Sequence, residues 1–268
     1  GRHDARISGG RYFFDGWDPR DRNAYRGVQW NPKEQIFADA QYRYRLKERL
    51  HARVYGNIFH EQLFNLGPVN TAPYYRRAID EYYTTLRAGG GVDVNGFVAD
   101  EQHISFIANY NHYQRERDTY IKDMTSLERT PSPNPGAQQL DTYTSAMSRG
   151  TYSQGSKDRL ISFQLGYDIN LETAEGYRVE DTTQFQGDFA GFASMELRPV
   201  RTLTLRPALR VAYNTRYGAP VVPSFHLKWQ FHEDWALRAS YARGFRAPSL
   251  KEQFFFFVDV NHNVQGNP

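Results

Sequence analysis

The chain has 268 residues, of which 40% are hydrophobic and 24% charged, and its formal net charge is +3 at pH 7. No stretch approaches the roughly 18 consecutive apolar residues of a membrane-spanning helix, which excludes a helical membrane protein. The charge is spread along the chain without a basic patch for nucleic acid, and the absence of cysteine excludes disulfides and thiolate metal sites.

Apolar and polar residues alternate with a period of two along much of the chain, which predicts β-strands. Strands are expected over 36–46, 50–58, 104–110 and 161–169. The pattern is clearest towards the end of the chain, over 201–213, 221–231 and 235–241. In the first of these, Leu203, Leu205 and Leu209 share one face, and Arg206 and Arg210 share the other.

The predicted connections are of two kinds. Short turns occur at 47–49, 198–200 and 232–234, and the longest polar segment, 114–157, is expected to be a loop. Outer-membrane β-barrels have short turns at the periplasmic rim and long loops at the outer rim. Counting strands from the short turns places Phe245 at the outer end of a strand.

A soluble antiparallel sandwich also alternates, so the pattern leaves two architectures open. The predicted strands are long, aromatic residues gather at strand ends, and the polar faces carry several cations in succession. These features favour a barrel with a wet interior. In a barrel, the face with Leu209, Phe225 and Leu237 must be exposed to lipid, whereas in a sandwich a second sheet covers it.

Several segments from about residue 158 onward resemble the barrel of TonB-dependent receptors, especially those of Bacteroidetes-like type. They read Leu-Gly-Tyr-Asp-Ile-Asn at 165–170, Leu-Arg-Pro-Ala-Leu-Arg at 205–210 and Tyr-Ala-Arg-Gly-Phe-Arg-Ala-Pro-Ser-Leu at 241–250, and the chain closes on Gln-Gly-Asn-Pro at 265–268. The first half fits the family by pattern more than by motif.

The resemblance implies an all-β fold, an antiparallel transmembrane β-barrel of about 22 strands, plugged by an N-terminal domain. Residues 1–268 are expected to form about half of that wall, as an internal segment without the plug, the TonB box or the C-terminal strand. The resemblance further implies a bacterial outer-membrane receptor, not an enzyme, with no intrinsic cofactor. Its implied partners are outer-membrane lipids, the TonB–ExbB–ExbD complex and an imported iron complex, either a ferric siderophore or haem.

Two other functions stay open at this point. Cobalamin is the alternative cargo within the same class of receptor. From a different class, the alternative is a soluble all-β carbohydrate-binding module. No catalytic constellation is present, since the chain lacks a Gly-x-Ser-x-Gly elbow, a His-Glu-x-x-His motif and a phosphate-binding loop.

The candidate site residues follow from the same resemblance. The motif residues are Phe245, Arg246, Ala247 and Pro248, followed by Asn267 and Pro268. Haem receptors of the family have a histidine between these two boxes, and here His262 stands there, where a neutral imidazole would ligate haem iron. Phe254 and Phe256 would provide an apolar wall, and Arg246 would attract an anionic ligand. The alternative is that His262 is a polar loop residue and that Arg246 and Pro248 hold the loop.

Cations on the polar strand faces are expected to line the barrel interior, where hydrogen bonding to the plug is favoured over ligand contact. They are Arg43, Arg45, Arg53, Arg206, Arg210, Lys228 and Arg238.

Overall fold

The computed structural model describes residues 1–20, 25–156, 158–258 and 263–266, with side chains omitted for 256–258 and 263–265. The elements are β1 His3–Phe14, β2 Lys33–Lys47, β3 Leu50–Leu66, β4 Asn70–Ala72, β5 Tyr75–Ala99, β6 Gln102–Asp123, β7 Arg129–Pro131, β8 Gln138–Gln154, β9 Ile161–Glu175, β10 Thr183–Val200, β11 Leu203–Asn214, β12 Val222–His232, β13 Trp235–Ala242, α1 Leu250–Phe254, β14 Phe256–Val258 and β15 Asn263–Gln265.

One 13-stranded antiparallel sheet contains most of the described residues. Its strands follow chain order from β1 to β13, and the short strands β4 and β7 pair at the side with β5 and β6. In the described part of the chain, β1 pairs only with β2 and β13 only with β12, so the sheet does not close. A separate hairpin joins β14 and β15.

The connections alternate in length, as the sequence predicts. Connections 48–49, 100–101, 155–160, 201–202 and 233–234 form what we call the short-turn rim. Connections 15–32, 67–74, 124–137, 176–182 and 215–221 form the opposite, long-loop rim, where β13 also ends. Phe245 therefore lies at the long-loop rim.

The predicted loop over 114–157 is wrong in most of its length. Strand β6 continues to Asp123, and β8 begins at Gln138, so only 124–137 connects them. Strands β5 and β6 have 25 and 22 residues, well beyond the roughly 9–11 residues that cross a bilayer. Their outer parts are polar on both faces because they stand in water, and such segments lose the alternation from which a strand is recognised.

The register divides the sheet into two faces. Arg53 lies opposite Asp93, and Arg149 lies opposite Asp168, on what we call the polar face. All seven cations predicted to line the interior belong to this face by register. The other side, the apolar face, carries Val54 opposite Val92, and Leu205 opposite Leu227.

The apolar face is uncovered. Leu209, Phe225 and Leu237 are 46%, 42% and 51% exposed, and no second sheet packs on them among the described residues. The buried core is correspondingly small, and beyond alanine its buried apolar side chains in the described part of the chain are Leu50, Val179 and Leu250. A water-soluble sandwich would cover this face with a second sheet, so the exposed face does not fit the alternative of a soluble carbohydrate-binding module. No helix among the described residues is long and apolar enough to span a membrane.

Candidate ligand-binding surface

The segment 243–255, which we call the strap, leaves β13 at the long-loop rim and folds onto the polar face. Its helix α1 starts at a capping box: the Ser249 side chain accepts from the main-chain N–H of Glu252, and Glu252 accepts from the main-chain N–H of Ser249. These hydrogen bonds from Ser249, together with Arg246, hold the pKa of Glu252 below its usual value. Pro248 precedes the cap, where its restriction of the preceding residue to extended backbone suits a helix start.

Buried contacts seat the strap against the sheet. Leu250 packs with Ala174 and Val179 in the small hydrophobic cluster. Gln253 is 4% exposed and donates from Nε2 to Oε1 of Gln186 at 2.6 Å. An antiparallel bridge joins Phe255 to Val179, which follows β9. Buried amide groups are costly unless they are hydrogen-bonded, so the Gln186–Gln253 contact fixes where α1 sits.

The predicted motif residues lie within this strap. Phe245 contacts the ring of Tyr217, with ring centroids 5.9 Å apart. Arg246 has an 83% exposed side chain and pairs with Glu252 at 2.5 Å. The carbonyl of Pro248 accepts hydrogen bonds from Gln253 and Gln186.

The structure describes only some of the remaining predicted site residues. Ala247 is half-buried, and the half-buried ring of Phe254 lies 5.1 Å from Cζ of Arg216. Phe256 opens β14, where its main chain pairs with Gln265. His262, Asn267 and Pro268 lie outside the described residues, and the haem-iron role of His262 stays a prediction. In the described part of the chain, no group of three or more His, Asp or Glu side chains is placed to hold a metal ion.

A cluster that the sequence analysis did not assemble lies next to the strap. It combines arginines and tyrosines of the polar face, on the half of β5, β6 and β8 nearer the long loops. We call it the arginine–tyrosine cluster, and its members are Tyr83, Arg87, Tyr113, Arg115, Arg117 and Tyr143.

Cation–π contacts hold Arg87 and Arg115 of this cluster, whereas Arg117 donates to the carbonyl of Gly136. Cζ of Arg115 lies 4.9 Å from the ring centroid of Tyr83. Cζ of Arg87 lies between Phe59 and Tyr113, at 5.5 and 5.4 Å from their ring centroids. A guanidinium stacked on a ring keeps its N–H edge available for hydrogen bonds.

Charge neutralisation distinguishes this cluster from other arginines of the polar face. Asp168 pairs with Arg149 at 2.8 Å and with Arg210 at 3.3 Å. Further towards the short-turn rim, Glu196 pairs with both Arg198 and Arg206. Arg87 and Arg115, by contrast, have ring contacts but no carboxylate partner among the described residues. Two carboxylates face the same space, Asp141 opposite Arg115 and Glu172 in the cavity with Arg87, so the positive charge of the cluster is offset only in part.

Two cavities open between the cluster and the strap, each of about 430 Å³. The first is lined by Arg87, Tyr113, Tyr143 and the start of α1, and the second by Tyr83, Arg115, Arg117 and Phe255. Lys251 lines both. Nε of Arg117 and Oδ1 of Asp141, which line the second cavity, are shielded from solvent and have no hydrogen-bond partner in the part of the chain described.

Family comparison decides what kind of sheet this is. The profile of the family described as "TonB dependent receptor-like, beta-barrel" matches residues 2–268. The chain belongs to this family. Its members are outer-membrane receptors and transporters rather than enzymes, and the predicted fold, family and outer-membrane location are thereby confirmed.

Solved structures agree on the fold of this TonB-dependent receptor chain. A double mutant of the ferric enterobactin receptor PfeA from Pseudomonas aeruginosa superimposes with a TM-score of 0.59 at 15% identity, over 94% of this chain and 40% of that one. A single-site mutant of PfeA gives a TM-score of 0.50 at 13% identity, over 93% and 45%. The siderophore receptor PirA of the same organism gives 0.49 at 16% identity, over 82% and 43%. No curated protein sequence matches the chain.

Membership in the family also names the two faces. The apolar face is the lipid-facing side of the barrel wall, and the polar face is the lumen side. The chain spans 40% of the length of the PfeA structure. The strap and the arginine–tyrosine cluster therefore belong to one sector of the lumen, below the long loops.

Proposed function

We propose that this chain is a wall segment of an outer-membrane receptor that binds a ferric siderophore at its outer side and imports it. The imported ligand is anionic, and it is held by the arginine–tyrosine cluster at the lumen face. Residues 1–268 supply part of the barrel. The plug, the TonB box and the remaining strands are supplied by the rest of the receptor.

The observation that carries the proposal is the positive charge of Arg87 and Arg115, which Asp141 and Glu172 offset only in part. Both guanidinium groups are stacked on aromatic rings, and neither has a carboxylate partner among the described residues. Ferric siderophores commonly carry net negative charge on oxygen ligands, which arginine recognises through charge-assisted hydrogen bonds. Tyrosine rings next to these cations offer flat surfaces for an aromatic ligand.

The structural neighbours support the same ligand class. The PfeA structures are those of a ferric enterobactin receptor. At 15% identity the first of them supports the fold, and the ligand class enters here as part of the proposal. Import against a gradient then requires energy from TonB with ExbB and ExbD, which the receptor contacts through its plug.

The test uses the full-length receptor that contains this chain, with ferric enterobactin as the probe. Arg115→Gln is expected to weaken binding about 10- to 100-fold, because a hydrogen bond to a charged group contributes about 1.5–3 kcal/mol. Arg43→Gln is the matched control, since Arg43 also faces the lumen but lies near the short-turn rim. Binding is measured by quenching of intrinsic fluorescence at low and high salt.

Equal affinity of the Arg115→Gln and Arg43→Gln receptors would contradict the proposal. If the receptor does not bind ferric enterobactin or other ferric siderophores but binds haem with a changed Soret band, the haem alternative replaces the proposal. Loss of that band in His262→Ala would then assign the axial ligand. Binding of cobalamin alone would establish the other alternative.

A further inference from the structure

Lys251 is the one strap residue that borders both cavities of the arginine–tyrosine cluster among the residues described. It lies on α1, 108 residues after Tyr143, the last cluster residue in sequence, and its Nζ lies 5.6 Å from the Phe255 ring centroid. Its side chain is exposed, and no carboxylate in the described part of the chain pairs with it. The strap thus adds another cation to the cluster.

Of the cluster residues, Tyr143 packs against the hydrophobic group that holds Leu250 of the strap. The seat of the strap consists of Leu250 against Ala174 and Val179, and of Gln253 against Gln186, all on the side of β9 and β10. Bringing a lysine towards Arg87 and Arg115 costs electrostatic free energy, which Glu172 and Asp141, the carboxylates that line the same cavities, offset only in part. The seat offsets this repulsion, and an anion between the cations would remove it.

We propose that Lys251 is a direct contact for the anionic ligand, and that the strap and the ligand stabilise each other's position on the lumen face. The strap acts as a movable wall of the site. When α1 is seated, Lys251 faces the ligand together with Arg87 and Arg115. When α1 is released, the ligand loses this contact. The inference rests on the proposed function, since it takes the anionic ferric siderophore as the ligand.

Mutual stabilisation follows from linkage. Suppose that the ligand binds more tightly when the strap is seated than when it is released. The bound ligand then shifts the strap equilibrium towards the seated state by the same factor as seating raises the ligand affinity. Substitutions in the seat must therefore lower ligand affinity without touching the ligand. Substitution of Lys251 must lower affinity without disturbing the seat.

The first experiment separates these two effects in the full-length receptor with ferric enterobactin. Lys251→Met is expected to weaken binding about tenfold, while amide hydrogen exchange over 250–255 in the ligand-free receptor stays unchanged. Lys228→Met is the matched control, because Lys228 is also a lumen-facing lysine but lies near the short-turn rim. Ligand should slow exchange over 250–255 in the wild-type receptor and less so in Lys251→Met.

The second experiment tests the seat with a double-mutant cycle. Gln253→Leu removes the hydrogen bond to Gln186 and is expected to speed exchange over 250–255 and to weaken binding. In that background, Lys251→Met should cost less than twofold in affinity, because the lysine is no longer held at the site. Leu250→Ala provides a second seat variant, whose cycle with Lys251→Met should give the same non-additivity.

The outcomes distinguish the inference from the proposed function. Tight binding of ferric enterobactin that is unaffected by Lys251→Met overturns the inference and leaves the proposed function standing. Additive effects of Lys251→Met and both seat variants overturn the coupling of strap and ligand. A wild-type receptor that binds no anionic ferric siderophore overturns both.

Discussion

At the scale of single residues, the most deeply buried ion pair among the described residues ties a long loop to the sheet. Arg26, in the 15–32 connection, forms a two-pronged pair with Asp80 of β5, at 2.6 Å and 2.9 Å. Asp80 is fully buried, and its hydrogen bonds raise the pKa of Arg26. Arg26 also donates to the carbonyl of Gly67 at 3.1 Å, so one guanidinium joins two neighbouring loops.

Asp80→Asn is expected to release this loop. Breaking a buried ion pair costs about 3–5 kcal/mol, because the remaining charge stays buried without its partner. The amide of Gly27, which donates to the carbonyl of Leu66, should lose its protection in hydrogen exchange. The matched control is Asp123→Asn, whose partner Arg77 is 4.0 Å away and half exposed, and whose effect should stay below about 1 kcal/mol. Equal protection in both variants would show that the buried pair is not what holds the loop.

A second residue-scale effect concerns Tyr217 in the 215–221 connection. Burial and the nearby carboxylate of Asp188 raise the pKa of Tyr217 from 10.0 to about 12. Because the folded-state pKa is raised, its contribution to stability is fully present below pH 10 and is lost as the pH rises towards the folded-state value. The contact between Tyr217 and Phe245 should therefore loosen only in strong alkali.

The measurement is an ultraviolet difference titration of the wild-type receptor against Tyr217→Phe. The difference should show one tyrosine titrating near pH 12, about two units above an ordinary tyrosine. Tyr74→Phe serves as the control, because Tyr74 is 98% exposed. A difference curve for Tyr217 that coincides with that of Tyr74 would contradict the assigned environment.

At the scale of elements, successive side chains of each wall strand face the lipid and the lumen in turn. Ala193 of β10 lies opposite Leu165 and Leu209 on the apolar face, whereas the adjacent Ser194 lies opposite Gln164 and Ala208 on the polar face. Ala193 and Ser194 therefore differ mainly in their surroundings, which are lipid for Ala193 and the aqueous lumen for Ser194. A charge should therefore be tolerated at one and not at the other.

Ala193→Arg is expected to lower the free energy of unfolding in lipid vesicles by about 2–4 kcal/mol, the cost of an arginine on the lipid face near the bilayer centre. Ser194→Arg, one residue away, should change it by less than about 1 kcal/mol because the lumen is wet. Denaturant unfolding followed by tryptophan fluorescence measures both. A larger loss for Ser194→Arg would reverse the assignment of the two faces.

At the scale of the whole molecule, the two rims have different tasks. Short turns close the hairpins at one rim, and strands of 25 and 22 residues rise far past the bilayer towards the other. The tall strands carry the arginine–tyrosine cluster above the paired arginines of Asp168 and Glu196. Under the proposed function, a ligand arriving from outside meets the positive charge of this cluster first.

Across the whole chain, alternation predicted some strands correctly and missed others. Alternation located β2, β3, β9 and the strands from β11 to β13, and it sorted the interior cations correctly, because a period of two is local. It failed over 114–157, where water on both faces of β6 and β8 removes the alternation. Arg115, Arg117 and Tyr143 lie in that stretch, so the cluster was missed with the strands that carry it.

The strand pattern, the two faces, the family and the position of Phe245 at the long-loop rim could all be predicted from the sequence alone. These depend on alternation and short motifs, which each segment carries alone. Only the tertiary structure decided that Arg87, Arg115 and Lys251 line the same space. That meeting depends on cross-strand register and on the seating of Gln253 against Gln186, 67 residues apart in sequence. Such contacts have no local signature, because their free energy comes from burial between segments that the sequence keeps far apart.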